Sequence, residues 1–316
     1  MDVLCLGESM ALFVPAQDGP PESVRTWTRT VGGAESNVAC QLVGLGVSAA
    51  WVSAVGADAF GKAVLSYVAD AGVDVSFVDV DPIRPTGLYV KESDAGGSPV
   101  RYYRAGSAAS GMGPELLAAL PLAEVRVVHT SGITPALSDS CLAMMRALFA
   151  APRTCQLSFD LNWRPKLWAG KDPAVLRELA AAADMVLVGA DEAALVWGTD
   201  TPAAIAELLP EPKTLVVKQG ERGATLIEGG VTVYQPGLRV DVVEPVGAGD
   251  AFAAGFLSAT LAGVDPVRRL RAGHLQAASA LRTHHDVGEP LPAALVAELL
   301  DADEAAWAAA HIRVAP

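Results

Sequence analysis

The chain has 316 residues and a formal net charge of -13, with 51% hydrophobic and 19% charged residues. This apolar fraction suffices for a large sheet covered by helices on both faces and argues against extensive disorder. The negative charge argues against general binding to nucleic acid, which needs a basic surface to neutralise phosphates.

The N-terminal segment and the cysteines both favour a soluble, cytoplasmic protein. Residues 2–6 have no basic segment before them, and no apolar run reaches the roughly 20 residues of a membrane-spanning helix. We therefore expect no membrane partner. The cysteines form no CxxC pair, so we expect buried thiols rather than disulfides or zinc ligands. They are Cys5, Cys40, Cys141 and Cys155.

Short β-branched and leucine-rich runs alternate with alanine-rich stretches through the first two thirds of the chain. The runs predicted as strands are 2–6, 51–55, 125–129, 156–160, 185–188 and 214–217. The stretches predicted as helices are 35–46, 60–72, 137–150 and 173–183. This alternation is typical of βαβ units, and it predicts an α/β fold with a central, mostly parallel sheet flanked by helices on both faces.

Two stretches interrupt this scheme, at about 9–31 and 86–104. Both show the alternating pattern of antiparallel strands, and Gly96-Gly97 is expected to form a turn within the second. We expect them to pair into a small antiparallel β-sheet that projects as a lid from one domain spanning 1–316. Because an exposed sheet needs a cover, the lid also predicts a homo-oligomer, a dimer or larger.

The last quarter of the chain is predicted to be helical, over 249–263, 266–282 and 291–309. Gly263 marks the end of the first of these helices, and Pro290 with Pro292 marks the start of the last.

The clearest chemical signal is the run Val246 to Phe252, which reads Val-Gly-Ala-Gly-Asp-Ala-Phe and leads into a helix. Glycines let backbone N–H groups turn toward an anion, and a helix N-terminus adds positive potential. Asp250 at that position is suited to accept the proton of a substrate hydroxyl during phosphoryl transfer. The alternative is an ordinary strand-to-helix turn with Asp250 as a helix cap.

A dinucleotide-binding fingerprint competes for the same glycines. That motif needs Gly or Ala where Phe252 stands, and it belongs near the first βα turn rather than late in the chain. Hydride transfer is therefore disfavoured.

The run Gly32 to Ala39 (Gly-Gly-Ala-Glu-Ser-Asn-Val-Ala) near the start and the run Gly247 to Asp250 near the end resemble the two signatures of the PfkB, or ribokinase-like, carbohydrate kinases. The resemblance covers nearly the whole chain. It implies a ribokinase-like fold, ATP and Mg²⁺ as cofactors and a sugar-like phosphate acceptor. It further implies Asp250 as the catalytic base and an anion hole built from the amides of Gly247, Ala248, Gly249 and Asp250. On the same basis, Gly33 and Asn37 contact the substrate.

The run Lys218 to Gly223 resembles the nucleotide loop of that family, although a hairpin turn explains its glycines equally well. The resemblance places Lys218, Gly220, Gly223 and His274 at the nucleotide. Glu192 corresponds to a glutamate that orders magnesium-bound water, and a surface helix cap is the alternative.

The chain departs from the family pattern at two places. Gly189 stands where many members have asparagine, and Glu244-Pro245-Val246 precedes the anion hole where many have Asp-Thr-Thr. A monovalent cation near this changed loop is therefore a candidate additional cofactor.

Three runs resemble the 2-keto-3-deoxygluconate kinases within the family, namely Gly7–Met10, Tyr102–Ser110 and Asp160–Trp168. A sugar acid carries a carboxylate, which an arginine fork can bind through two hydrogen bonds. Arg104 and Arg164 are the predicted carboxylate ligands. Tyr89 and Tyr103 are expected to supply hydroxyls and a ring wall.

Alternatives remain beside this assignment. Tyr and Arg in strands often form ordinary cross-strand pairs, and related fructokinases bind neutral sugars. From a different class, a catalytically silent sugar- or nucleotide-binding relative would be expected to lose Asp250, which is intact here. The pair His284-His285 lacks further metal ligands at suitable spacing, so the run through Asp286 is expected to border the nucleotide pocket or lie in a loop.

Overall fold

The computed structural model describes residues 1–17, 19–91 and 100–314. The strands are β1 (Val3–Leu6), β2 (Met10–Pro15), β3 (Trp27–Gly32), β4 (Ala49–Gly56), β5 (Asp74–Asp81), β6 (Leu88–Lys91), β7 (Val100–Tyr103), β8 (Val127–Ser131), β9 (Gln156–Asp160), β10 (Met185–Gly189), β11 (Thr214–Lys218), β12 (Gly223–Glu228), β13 (Val231–Pro236), β14 (Arg239–Val240) and β15 (His311–Ile312). The helices are α1 (Ala34–Gly44), α2 (Ala59–Asp70), α3 (Asp139–Ala150), α4 (Pro165–Trp168), α5 (Ala174–Ala182), α6 (Ala190–Trp197), α7 (Pro202–Leu208), α8 (Ala248–Leu261), α9 (Pro266–Leu281), α10 (Ala293–Asp301) and α11 (Glu304–Ala309). The turn expected at Gly96-Gly97 lies outside the described residues.

The main sheet contains nine of these strands, in the order β13-β12-β11-β10-β9-β8-β1-β4-β5. All pairs from β11 to β5 are parallel, and β12 and β13 add antiparallel strands at one edge. The prediction of a mostly parallel sheet is confirmed. The sequence did not predict β5 and β13, the two edge strands, or β12, which lies next to β13.

Helices cover both faces of the main sheet, as predicted. The buried side chains on one face include Met144, Leu148, Leu176, Leu179 and Ile205 from α3, α5 and α7. The buried side chains on the other include Leu42, Val64, Phe256, Leu257 and Leu270 from α1, α2, α8 and α9. Each helix packs its apolar stripe against the sheet. Together the helices shield both faces of the sheet from water.

The strand order reverses at β1, which pairs with β4 on one side and β8 on the other. In open parallel sheets, ligands bind outside the carboxyl ends of the strands at such a switch point. Glu8 follows β1, while Asp160 and Lys218 end β9 and β11, so these polar residues share that edge.

A separate four-stranded sheet, called the small sheet below, has the order β3-β2-β6-β7. It unites the two stretches at about 9–31 and 86–104. The outer pairs β2–β3 and β6–β7 are antiparallel, as expected, whereas the central pair β2–β6 is parallel. The central pair is parallel because β2 and β6 come from separate stretches and are not joined by a hairpin.

The C-terminal helices differ from the sequence expectation at one point. α8 and α9 match the predicted ranges closely, and Gly263 follows the first with φ 70°. The predicted helix 291–309 is broken into α10 and α11. Asp303 causes this break because its side chain accepts a hydrogen bond from the Ala306 amide and caps a new helix.

All four cysteines are buried free thiols, which confirms that part of the prediction. Within the described ranges, no helix combines the length and apolar character that crossing a bilayer requires.

Candidate active site

Two adjoining cavities lie at the carboxyl edge of the main sheet. The acidic cavity, of about 620 Å³, is lined by residues of both the main and the small sheet. The outer cavity, of about 790 Å³, lies between the turn after β11 and the helices α8 and α9. Lys218, Gly220, Pro245 and Gly249 line both cavities. The acidic cavity takes its name from its carboxyl groups, which belong to Glu8, Asp160, Asp191, Glu192, Asp250 and Asp286.

The glycine-rich turn predicted from the sequence lies where the two cavities meet. Gly247 has φ 82° and caps α8, and a side chain there would collide with the backbone carbonyl of Asp286. Position 247 therefore requires glycine for both its backbone angle and its packing. At Gly249, a β-carbon would meet only the Lys218 Nζ, at 3.7 Å, so the first turn of α8 is open toward ligands. The amides of such a turn and the helix dipole together favour an anion.

Asp250 is the third residue of α8 and lines the acidic cavity. The Asn37 Nδ2 donates a 2.9 Å hydrogen bond to the Asp250 Oδ2, which orients the carboxylate. Burial raises the pKa of Asp250 from 3.8 to about 7, although the Asn37 hydrogen bond and the charge of Arg164 oppose the rise. A carboxyl with a pKa near neutrality is suited to take a proton from a hydroxyl and to release it again.

Asn37 itself is placed by the start of α1, and Gly33 caps that helix. A side chain at Gly33 would approach the Ser9 Cα to 2.7 Å and the Glu8 carbonyl to 2.6 Å. The glycine thus lets the backbone of β3 pass close to the Glu8–Ser9 segment. This close approach brings the predicted residues Gly33 and Asn37 to the wall of the acidic cavity.

Lys218 ends β11 and lies between the cavities. Its Nζ donates hydrogen bonds of 2.9 and 2.7 Å to the two carboxylate oxygens of Asp160. Burial alone would lower the pKa of Lys218, but the carboxylates of Asp160 and Glu192 outweigh it and raise the pKa. Lys218 therefore stays a cation beside the turn at Gly249.

Glu192 lines the acidic cavity and also caps its own helix. Its Oε2 accepts a 2.9 Å hydrogen bond from the Gly189 amide, and its Oε1 accepts a 2.8 Å hydrogen bond from the Trp163 amide. Burial raises the pKa of Glu192. The helix cap named as the alternative is therefore present, and the ordering of magnesium-bound water by Glu192 stays a prediction.

Arg104 lines the acidic cavity, but a carboxylate of the protein already binds it. Its Nε donates a 2.6 Å hydrogen bond to the Glu8 Oε2, and its Nη2 forms an ion pair with the same oxygen. The other Glu8 oxygen accepts a hydrogen bond from the Ser107 hydroxyl. Glu8 therefore fixes the guanidinium against the cavity wall and neutralises its charge.

Arg164 differs from the other three cations that line this cavity. Each of the other three pairs with a carboxylate of the protein. Arg104 pairs with Glu8, Lys218 with Asp160, and Lys91 with Glu244 and Asp286. The Arg164 guanidinium is exposed and donates a hydrogen bond of 3.1 Å to the Trp163 carbonyl. Within the described ranges, no carboxylate lies at ion-pairing distance from it.

The two predicted tyrosines have different positions. Tyr89 is buried in the wall of the acidic cavity, and its hydroxyl donates a 3.2 Å hydrogen bond to the Asp286 Oδ2. Tyr103 is 58% exposed, and its neighbour Tyr102 lines the cavity instead. Tyr102 pairs with Tyr89 across β6 and β7, with ring centroids 5.4 Å apart. Since side chains alternate along a strand, the residue that faces the cavity is Tyr102.

The outer cavity contains the residues predicted for a nucleotide. Gly220, with φ 61°, and Gly223, with φ 139°, flank the turn that joins the antiparallel strands β11 and β12. The turn is thus a hairpin and also a cavity wall. His274 lies in the opposite wall, where burial lowers its pKa to about 4. A neutral imidazole next to Phe252 gives this cavity an apolar wall suited to a flat ring.

Sequence reasoning did not single out several residues of the acidic cavity. Glu8 and Asp160 each directly follow or end a buried strand at the ligand-binding edge, which is a usable signal. Lys91 is two positions from Tyr89 on one strand, so the alternation could have placed both on one face. Asp286 lies in the loop between α9 and α10, one of the two positions expected for it, and from there its side chain lines the acidic cavity. Nothing local to its sequence indicates this position.

In the part of the chain that the structure describes, no cluster of three or more His, Cys, Asp or Glu side chains has the geometry to hold a metal ion.

Comparisons with known proteins agree with this geometry. The model of the pfkB family of carbohydrate kinases matches residues 1–294. A 2-dehydro-3-deoxygluconokinase of Bacillus subtilis (strain 168) is 38% identical over 286 residues, covering 85% of this chain and 87% of the relative. A 2-dehydro-3-deoxygluconokinase of Thermoproteus tenax is 34% identical over 278 residues, covering 85% of each chain.

The fold is shared with a solved structure. The crystal structure of a PfkB protein from Polaromonas sp. JS666 superposes with a TM-score of 0.83 at 34% sequence identity. The alignment covers 95% of this chain and 99% of the other.

Proposed function

The chain belongs to the pfkB family of carbohydrate kinases, and on this basis we propose that it transfers the γ-phosphoryl group of ATP to the terminal hydroxyl of 2-keto-3-deoxygluconate (2-dehydro-3-deoxygluconate). The observation that carries the proposal is the position of Asp250. A carboxylate oriented by Asn37 stands at the N-terminus of α8, where an acidic cavity meets a second cavity with an apolar wall. A phosphoryl donor and an acceptor alcohol can meet there.

In this proposal Asp250 acts as the base. It accepts the proton of the acceptor hydroxyl while the hydroxyl oxygen attacks the γ-phosphorus, and the bond to the ADP oxygen breaks. In the proposal, the amides of Gly247, Ala248, Gly249 and Asp250 bind the charge that develops on the transferred group, and the Ala248 amide exchanges its 3.4 Å hydrogen bond with the Pro245 carbonyl for this contact. Such preorganised donors stabilise the transition state more than the ground state.

The nucleotide is proposed to occupy the outer cavity. Its base would lie near His274 and Phe252, and its phosphates would follow the turn from Gly220 to Gly223 toward Lys218. Lys218 uses two of its three N–H donors on Asp160, so in the proposal its third N–H binds an oxygen of the γ-phosphate. Its bonds to Asp160 hold the ammonium in place, so little reorganisation is needed during transfer.

The carboxyl groups present fit a water-bound magnesium ion better than direct ligation. Both Glu192 oxygens accept backbone N–H bonds, and both Asp160 oxygens bind Lys218. Each Glu192 oxygen keeps a lone pair that can accept a bond from metal-bound water. A bound Mg²⁺ would neutralise charge on the ATP phosphates. The monovalent cation considered from the sequence stays a prediction, and Lys91 already pairs with the Glu244 carboxylate beside the turn.

The sugar acid is proposed to bind Arg164 in the acidic cavity. Its carboxylate needs a cation that has no other carboxylate partner, and the structure leaves the Arg164 guanidinium in that condition. Arg104, predicted as a second ligand, keeps a positioning role because Glu8 neutralises it. A charge-assisted hydrogen bond contributes about 1.5–3 kcal/mol, which corresponds to about 10- to 150-fold in binding.

One observation favours a neutral sugar as the second candidate. Six carboxyl groups line the acidic cavity, and this charge would repel an anionic substrate unless local pairing neutralises it. If Arg164 binds no substrate carboxylate and acts only by lowering the pKa of Asp250, the enzyme would phosphorylate a neutral sugar, as a fructokinase does. A silent binding relative is disfavoured because Asp250 and its glycine turn are intact.

Steady-state kinetics with ATP, Mg²⁺ and a panel of substrates tests the proposal. The panel contains 2-keto-3-deoxygluconate, its galactonate epimer, fructose and ribose. We expect kcat/KM for one of the acids to exceed that for either neutral sugar by at least tenfold. A higher value for fructose would establish the second candidate, and no turnover with any member would contradict both.

The small sheet is proposed to act as a lid over the acidic cavity, and its outer face to pair with a second copy of the chain. Tyr89, Lys91 and Tyr102 project from it into the cavity wall.

The cytoplasmic location expected from the sequence likewise stays a prediction.

A further inference from the structure

Lys91 forms a charged link between the small sheet and the loop that precedes the glycine turn. It is the last residue of β6, only 4% exposed. Its Nζ forms an ion pair with Glu244 and lies 3.6 Å from the Asp286 Oδ1. A buried ammonium between two carboxylates is more than a surface ion pair, because removing it leaves uncompensated negative charge away from water.

Both carboxylates belong to segments that hold the glycine turn. Glu244 lies three residues before Gly247, and its amide donates a 3.3 Å hydrogen bond to the Leu281 carbonyl. The backbone of Asp286 packs so closely against Gly247 that a side chain at position 247 would overlap its carbonyl. A displacement of either acidic residue therefore moves the N-terminus of α8.

The same strand makes a second contact with this region. The Tyr89 hydroxyl, two residues before Lys91 on the same face of β6, donates to the other Asp286 oxygen at 3.2 Å. Asp286 is thus bound through both of its carboxylate oxygens by the small sheet. Of these two side chains, Lys91 also reaches Glu244, whose other carboxylate oxygen lies 3.7 Å from the His284 Nδ1.

The loop has little apolar packing of its own to fix its position. Val242 and Val246 are 58% and 41% exposed, and Pro245 is exposed as well. Segments with few buried contacts open at low free-energy cost, so a polar link contributes a larger share of their order. The position of this loop consequently depends on the position of β6.

From these contacts we propose that Lys91 is a positioning residue, which aligns the phosphoryl-binding turn at Gly247–Asp250 when the small sheet lies over the acidic cavity. This inference rests on the proposed kinase site and deepens it. The link between Lys91 and the two carboxylates then holds in place the turn that stabilises the transferred phosphoryl group.

The central test compares the parent with Lys91→Met and Lys91→Arg, using whichever carbohydrate the parent phosphorylates best. We expect kcat of Lys91→Met to fall about 10- to 100-fold while the KM for ATP changes less than threefold. Lys91→Arg, which keeps the charge, should recover most of the loss. Lys213→Met is the matched control, because it removes an exposed lysine–carboxylate pair, with Asp184, far from both cavities. Its kcat should equal that of the parent.

A double-mutant cycle separates the link from a direct contact with substrate. If Lys91 acts through Glu244, Lys91→Met combined with Glu244→Gln should be no slower than the slower single variant. Multiplying effects, or a rise in the KM of the carbohydrate with unchanged kcat, would overturn the proposal.

Hydrogen exchange gives a readout that does not depend on the identity of the substrate. In the ligand-free protein, amides of 241–250 should exchange at least fivefold faster in Lys91→Met than in the parent, while those of 266–281 stay unchanged. Unchanged exchange over 241–250 would refute the link even if activity is lost. Faster exchange in a protein that phosphorylates no carbohydrate would support the link while refuting the proposed function.

Discussion

Replacing Asp250 by Asn tests the proposed base while preserving the shape of the side chain. The amide can still accept a hydrogen bond from Asn37, so the first turn of α8 should keep its structure. Turnover should fall by about 10² to 10⁴, the usual contribution of a positioned base, which amounts to about 3–5 kcal/mol of transition-state free energy. ATP binding, measured by titration calorimetry, should change little because the nucleotide is proposed to lie in the outer cavity.

The pH dependence of the parent gives an independent measure of the same group. Burial raises the pKa of Asp250 to about 7, so below that pH the base is increasingly protonated and kcat/KM should fall about tenfold per pH unit. This acidic limb should be absent from the residual activity of Asp250→Asn. Asn37→Ala removes a hydrogen bond that lowers the pKa of Asp250, so in that variant the limb should move to higher pH.

A coupled assay for ADP release between pH 5.5 and 9, at constant ionic strength, provides these profiles. Near-normal turnover of Asp250→Asn would refute the assignment. So would an acidic limb that persists in the Asn variant at the pH seen in the parent.

Further predictions concern specificity, stability and assembly. Arg164→Ala should lower kcat/KM for the sugar acid about 10- to 150-fold and kcat/KM for fructose less than threefold. Equal losses for the two substrates in this variant would refute the carboxylate contact. Arg104→Ala leaves Glu8 without its cation and should lower kcat/KM for both substrates. Burial raises the pKa of Glu35 from 4.5 to about 7, so the free energy of unfolding should fall by about 3 kcal/mol as pH rises from 4.5 through 7. Glu35→Gln should lose that part of the slope in denaturant titrations, and an unchanged slope would contradict it. Sedimentation at micromolar concentration should show a dimer or larger assembly, while a strict monomer would argue against pairing through the small sheet.

Much of the fold follows from local sequence patterns. The parallel core strands carry apolar runs long enough to be recognised, and the alanine-rich stretches between them are clear helices. β5 escaped detection because it lies at the sheet edge and includes three aspartates, so none of its residues is fully buried and no apolar run marks it. The break after α10 depends on the Asp303 cap, a single side chain within an otherwise helical composition.

The site was predictable where the chemistry is local in the chain. The Gly247–Asp250 turn needs only glycines and a helix start, which are contiguous in the chain. The pairing of Arg104 with Glu8 joins residues 96 positions apart, and no local pattern shows that this guanidinium is already neutralised. For the same reason, the contact of Lys91 with Glu244, across 153 positions, required the three-dimensional structure.

Tyr102 and Tyr103 show a narrower limit. Adjacent tyrosines on one strand face opposite sides, and which of them faces the cavity depends on the register with β6. That register is set by the pairing of Tyr89 with Tyr102, which the sequence does not specify.

A competition experiment tests whether the enzyme prefers the sugar acid to a neutral sugar. The parent protein is mixed with ATP, Mg²⁺ and equal concentrations of 2-keto-3-deoxygluconate and fructose, and the products are followed by phosphorus NMR. We expect a phosphate ester on the terminal hydroxyl of the sugar acid to form first, in amounts equal to the ADP released. Preferential formation of a fructose phosphate, or release of inorganic phosphate without an ester, would contradict it.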